Sequence, residues 1–202
     1  MIGLLSRILC LLVISTPVRS LRAQDLKINS GLAIGSEAPA FDPKHVTGPD
    51  AGKYTCPMCK YGSTSQGVIA WFNTDNWDDM GRMADSLEAA IAMKGYSKLR
   101  VFIVYMNPQK QEPSLVEKRL SQFAAAHHIS KTALLYVPDP YDKSTCGVYH
   151  INPDPQIRNT ILVYRKRVIT DKCINFQSRP VDLSNLMLSV EGQYRFMSIR
   201  NN

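Results

Sequence analysis

The sequence has no apolar run approaching the roughly 20 residues that a membrane-spanning helix needs, so no span is expected once any leader is gone. It has no internal repeat and no low-complexity tract, which argues against arrays and fibrous folds. A serine-hydrolase elbow is missing. The nearest approach to a phosphate loop, Gly48-Pro-Asp-Ala-Gly52, lacks the Gly-Lys-Ser/Thr ending that cradles phosphate. Excess charge is small. Of the formal +7, Arg7, Arg19 and Arg22 fall within the first 23 residues, where there is no acid, which leaves +4 on the rest. The clearest basic cluster, Arg165-Lys166-Arg167, stands between two apolar runs and reads as a solvated hairpin turn. Tyr and Trp residues sit in strand and helix patterns, so no base-stacking platform is present and nucleic acid is not an expected partner.

What is present begins with a leader-like N-terminus. Arg7 precedes a short apolar run, Ile8 to Ile14, and small or polar residues follow, with Ser20 and Ala23 as possible cleavage positions. That is the layout of a secretory signal peptide over residues 1–23. It predicts export to the periplasm or the extracellular space, with Cys10 lost in the leader. Residues 24–34 form a lead-in, and the remainder is long enough for one domain with its own core, placed at 35–197.

The domain's pattern is regular after residue 67. Val68 to Phe72 is a buried-strand run. Trp77, Met80, Ala84, Leu87 and Ile91 then recur at three- and four-residue steps and share one helix face. Asp75 or Asn76 is placed to cap that helix, Asp78 and Asp79 suit its first turn, and Gly95 is placed to close it. Leu99 to Met106 is the strongest strand signal. Ser114 and Glu117 read as a capping box for a second helix with Val116, Leu120, Phe123 and His127 on one face. Ala133 to Val137 is a third strand, residues 141–151 a short helix or turn, and Thr160 to Tyr164 with Val168 to Phe176 a hairpin. Asp182 is placed to cap a last helix carrying Leu183, Leu186, Met187 and Val190. A short strand is expected around Ala38 to Phe41, followed by a long loop over 42–67. Strands alternating with helices, closed by a hairpin, predict an α/β fold with a mixed central sheet flanked by helices.

That order, preceded by Gly35-Ser-Glu-Ala-Pro-Ala-Phe41 and closed by Asn159-Thr-Ile-Leu-Val-Tyr164, a basic turn and a second strand, resembles the redoxin branch of the thioredoxin-like superfamily. Peroxiredoxins and exported thiol–disulfide oxidoreductases belong to that branch. The resemblance implies a thioredoxin-like fold and partners that are protein thiols or disulfides, or a redox protein. It also implies a redox motif at the start of the first long helix and a cis-proline before a facing strand. Here those positions hold Asn73-Thr-Asp-Asn-Trp-Asp-Asp79, which has no cysteine, and Asn159. No catalytic residue carries over.

Chemistry is instead carried by Cys56-Pro-Met-Cys59, upstream of the first core strand. Cysteines at this spacing close a disulfide in a tight turn or place two thiolates on one metal ion. Three roles fit. One is a relocated redox pair with Cys56 and Cys59 catalytic, Cys56 attacking by analogy. Another is a copper or zinc site in which His45, His150 or another cysteine joins them, with Met58 a ligand for copper(I). The third is a structural disulfide or zinc in a non-catalytic module. Cys146 and Cys173 flank the closing strands and are the candidates for a structural disulfide, with a resolving role for Cys146 as the alternative. His127 and His128 read as a helix end.

Overall fold

The computed structural model describes residues 28–93, 97–193 and 195–196. The leader, its cleavage positions, Cys10, Gly95 and the last residue of the predicted domain lie outside them. Six strands form one mixed sheet in the order β1-β4-β3-β2-β5-β6: β1 (Lys44–His45), β2 (Gln66–Phe72), β3 (Leu99–Tyr105), β4 (Ala133–Tyr136), β5 (Asn159–Arg165) and β6 (Val168–Ile174). β2, β3 and β4 run parallel, and β1, β5 and β6 pair antiparallel to their neighbours. The helices are α1 (Trp77–Ala92), α2 (Pro113–Ala126) and α3 (Pro180–Glu191).

Period-two alternation sends the residues of β2 to two separate cores. Val68, Ala70 and Phe72 meet Met80, Met83, Ala84 and Leu87 of α1, Val116 and Leu120 of α2, and Leu186 and Val190 of α3. Ile69 and Trp71 face the other way, toward Phe41, Met58, Tyr149 and Ile151. The crossovers β2-α1-β3 and β3-α2-β4 step across the sheet in the same direction. Their shared handedness therefore places both helices on one face. The second face is covered by coil and by two wide helical turns, Met58–Gly62 and Lys143–Gly147. Phe41, Trp71 and Tyr149 pack there with ring centroids 4.8 to 5.4 Å apart.

Asn76 caps α1 as expected, its side-chain oxygen accepting from the Asp79 amide at 3.2 Å. The other two expected caps are displaced by proline. Pro113 and Pro180 occupy the first helical positions, where a missing N–H costs nothing and the fixed φ suits the helix. The caps are thus Glu112 and Arg179, and Ser114 and Asp182 lie inside the first turn. Glu117, expected in a capping box, instead accepts from the Tyr136 hydroxyl at 2.9 Å, and Asp182 pairs with Arg179. Residues 38–41 form no strand. Glu37 makes one bridge to Val168, and Pro39 has no N–H with which to continue a ladder. The 42–67 segment holds β1 and the first wide turn rather than being loop throughout. The β5–β6 hairpin turns on Lys166 and Arg167, both at positive φ (49° and 68°), as a two-residue turn matched to strand twist requires.

Candidate redox turn

Cys56 and Cys59 are joined by a disulfide, with Cα atoms 5.3 Å apart. Pro57, at φ −61°, supplies the helical backbone that starts the turn. Met58 is the turn's anchor. It is fully buried in the second-face core, against which Cys56 also packs. Cys59 is exposed whereas Cys56 is half-buried. The Cys59 backbone N–H donates to Cys56 Sγ at 3.0 Å, and the Lys60 N–H donates to the Cys56 carbonyl at 3.1 Å.

A buried carboxylate fixes the far side of the turn. Asp50, only 3% exposed, accepts from the Lys60 ammonium and, at 2.9 Å, from the Tyr61 hydroxyl. Burial pushes the Asp50 carboxyl up. The hydrogen bonds from Lys60 and Tyr61, with the charges of Lys60 and His45, outweigh it and leave the carboxyl below its ordinary value. The Tyr61 ring stacks on Phe102 with centroids 6.2 Å apart and carries the Arg100 guanidinium 5.5 Å from its centroid. Asp50, Tyr61, Arg100 and Phe102 line a cavity of about 380 Å³ together with His45 and Ala133.

Asp50→Asn is expected to let a small dithiol open the Cys56–Cys59 bridge several-fold faster than in wild type. The substitution loosens the turn and releases the Lys60 cation toward a developing thiolate, so both effects act in the same direction. Stopped-flow reduction measures this rate, and an unchanged or slower rate would count against the role given to Asp50.

The residues proposed as metal ligands do not converge. Disulfide-bonded sulfurs are not thiolate donors. His45 is 1% exposed, and its Nε2–H donates to the Thr55 carbonyl at 2.9 Å. Burial, the largest influence on it, lowers its pKa. His150 is an exposed residue three positions past the second wide turn. Among the described residues no three His, Cys, Asp or Glu side chains form a metal-binding group.

Cys146 and Cys173 are not bonded to each other. The sheet lies between them: Cys146 belongs to the second-face core and Cys173 packs against the helix-face core. The expected structural disulfide is therefore corrected. Cys146 is also a poor resolving thiol, since burial, aided by Asp142 and Asp139, pushes it up to about 12. His127 ends α2 as expected, its ring tilted against Phe123 with centroids 4.5 Å apart and bonded to Asp85 at 2.9 Å.

The position that holds the redox motif in the redoxin pattern is filled by structural contacts. Asp75 accepts from Tyr105 at 2.7 Å and from Gln109. Arg119 lies 3.7 Å from the Asp75 carboxylate and stacks 4.2 Å from the Trp77 centroid. Asn73 donates to the Pro153 carbonyl at 2.8 Å. Among the described residues there is no cis peptide bond. Cysteine spacing alone pointed to the turn. Asp50 and Tyr61 were missed, because a loop acid ten residues before its lysine carries no periodic signal.

No family model matches the sequence, and no curated protein matches it significantly. Solved structures do match. One, from Chlorobium tepidum and provisionally described as a thiol:disulfide interchange protein DsbE, superposes with TM-score 0.54 at 14% identity, covering 80% of this chain and 98% of that one. A Bacteroides thetaiotaomicron protein, provisionally described as a protein disulfide isomerase, gives TM-score 0.57 at 13% identity, with 82% and 94% covered. A thiol peroxidase from Chromobacterium violaceum gives 0.54 at 13%, with 82% and 90% covered. At such identities it is architecture that is shared, and the chain has the thioredoxin-like fold.

Proposed function

We propose that this chain is an exported thiol–disulfide oxidoreductase that works through the Cys56–Cys59 pair on protein thiols or disulfides, or on a dedicated redox protein. The observation that carries the reading is a disulfide closed in a surface turn, with one cysteine exposed and a backbone N–H aimed at the other's sulfur. A structural bridge needs neither feature. Neighbouring folds described as disulfide-handling proteins support the same reaction class. The leader-like N-terminus supports export, and a disulfide suits an oxidising compartment.

The reaction balances within the pair. A partner dithiol gives up two electrons and two protons to the Cys56–Cys59 bridge, leaving a partner disulfide and two cysteine thiols; the reverse direction reduces a partner disulfide. The test is the mass of the folded protein after alkylation, with and without mild dithiol. Reversible opening under native conditions, and loss of turnover on a dithiol or disulfide peptide in Cys56→Ser, is the expected result. A bridge that opens only when the protein unfolds, with Cys56→Ser changing stability alone, would overturn it.

A further inference from the structure

We propose that Cys59, the second cysteine of the motif, is the sulfur that bonds to the partner, and that Cys56 is the leaving and resolving thiolate. This rests on the oxidoreductase reading above and reverses the order that analogy assigned to Cys56. Two independent observations carry it.

The first is access. Thiolate attack on a disulfide runs in line with the S–S bond, so the sulfur that is struck must be open on its outer side. Cys59 is exposed, and the residues that follow it, Lys60 and Tyr61, hold the turn to Asp50 without covering it. Cys56 is half-buried and packs against the core that also encloses the fully buried Met58. A partner protein brings its own backbone and side chains with its sulfur, so it reaches the exposed Cys59 more readily than the half-buried Cys56.

The second is charge. When an incoming thiolate bonds to Cys59 Sγ, the electron pair of the S–S bond leaves on Cys56 Sγ. That atom accepts the Cys59 backbone N–H at 3.0 Å. The hydrogen bond favours the thiolate over the neutral thiol and so makes Cys56 the better leaving group. Attack on Cys56 would instead expel Cys59, which has no such bond among the described residues.

In the oxidising direction, the partner's first thiolate forms the mixed disulfide with Cys59. Its second thiolate then attacks the partner sulfur of that bond and releases Cys59. In the reducing direction, the Cys59 thiolate opens the partner disulfide, and the Cys56 thiolate then attacks Cys59 Sγ and expels the partner's remaining thiolate. No other oxidant or reductant enters either sequence.

The experiment uses reduced Cys56→Ser and Cys59→Ser variants of the mature chain and a peptide carrying one disulfide. Mixed-disulfide formation is followed by mass spectrometry under native conditions, with wild type run in parallel. Cys56→Ser is expected to accumulate a stable peptide adduct on Cys59. Cys59→Ser should form its adduct at least about tenfold more slowly, as access and not thiolate content limits it. Circular dichroism of both variants identifies a fold defect, and in that case Cys56→Ala and Cys59→Ala under the same assay with an alkylating probe replace them. If the wild-type bridge opens reversibly but Cys59→Ser reacts as fast as Cys56→Ser or faster, the order is overturned and the oxidoreductase reading stands. If the wild-type bridge opens only on unfolding, both fall.

Discussion

Gly67→Ala is expected to unfold the protein or to lower its stability by at least about 4 kcal/mol, the range reached when a substitution forces backbone apart. Gly67 is buried in β2, opposite Arg100 of β3 and Tyr164 of β5. A Cβ there would stand 1.9 Å from the Arg100 carbonyl oxygen and 2.9 Å from the Tyr164 ring. The ring can shift but the carbonyl cannot, because it belongs to the ladder that joins the two central strands. Relief requires β2 and β3 to separate where both cores meet the sheet. A total stability of about 5–15 kcal/mol leaves little margin for that. The control is Gly147→Ala, where the nearest atom lies 3.4 Å away and φ is not positive. Denaturant midpoints of the two variants measure the contrast. A Gly67→Ala midpoint equal to wild type would show that β2 and β3 have slack at this register.

The lesson for reading sequence lies in which signals are local. The runs at 68–72 and 99–106 became β2 and β3, because a strand buried on both faces must be apolar throughout. The face of α1 was legible from its period, and the hairpin from a basic turn between two runs. Cap residues were harder. Ser114 and Asp182 carried the right side chains, yet a proline one or two residues earlier decided where each helix starts. The cysteine arithmetic gave an even count beyond residue 23, but pairing depends on sheet faces. Residues 146 and 173 are assigned to opposite faces by strand parity and chain path, which no count of cysteines contains.

The position of the disulfide turn follows from the same topology. Three helices share one face, so the other has to be sealed by irregular chain, and the Cys56–Cys59 turn is part of that seal. Met58 holds it down through apolar burial, and Asp50 holds it through charge-assisted bonds. At the start of α1 the acids Asp78 and Asp79, with the Asp75 network, make a poor place for a thiolate. The wide turn places the pair ahead of β2 instead, with no acid between Gly52 and Ser65.

Removing Glu88 tests how that seal is tied to the helices. Glu88, on α1, reaches across to the segment leading into β4. Its Oε1 accepts from the Ser130 N–H at 2.9 Å, the Ser130 hydroxyl at 2.9 Å and the Lys131 N–H at 2.7 Å, while Oε2 accepts from the Thr132 N–H at 2.7 Å. The next tether leads to the segment that carries the disulfide turn: the Thr47 hydroxyl donates to the Thr132 carbonyl at 2.9 Å and accepts from the Leu134 N–H at 2.8 Å. Hydrogen bonds to a charged group contribute more than neutral ones, so Glu88→Ala is expected to cost about 2–4 kcal/mol after allowance for partial exposure. Glu88→Gln should recover only part of this, since its NH₂ group would face the Thr132 N–H, donor against donor. The pH dependence has a definite sign. Burial pushes the Glu88 carboxyl up, but the amides of Thr132, Ser130 and Lys131 outweigh it and hold the carboxyl below the ordinary glutamate value. A lowered native pKa means the contribution is fully present above the unfolded value of about 4.3 and fades as pH falls through the native one. Urea unfolding of wild type and Glu88→Ala should therefore differ most near about pH 7 and converge as the pH falls through the lowered native value. A gap that stays constant across that range would mean Glu88 acts through packing rather than charge, and the tether would have to be redrawn through Thr47 alone.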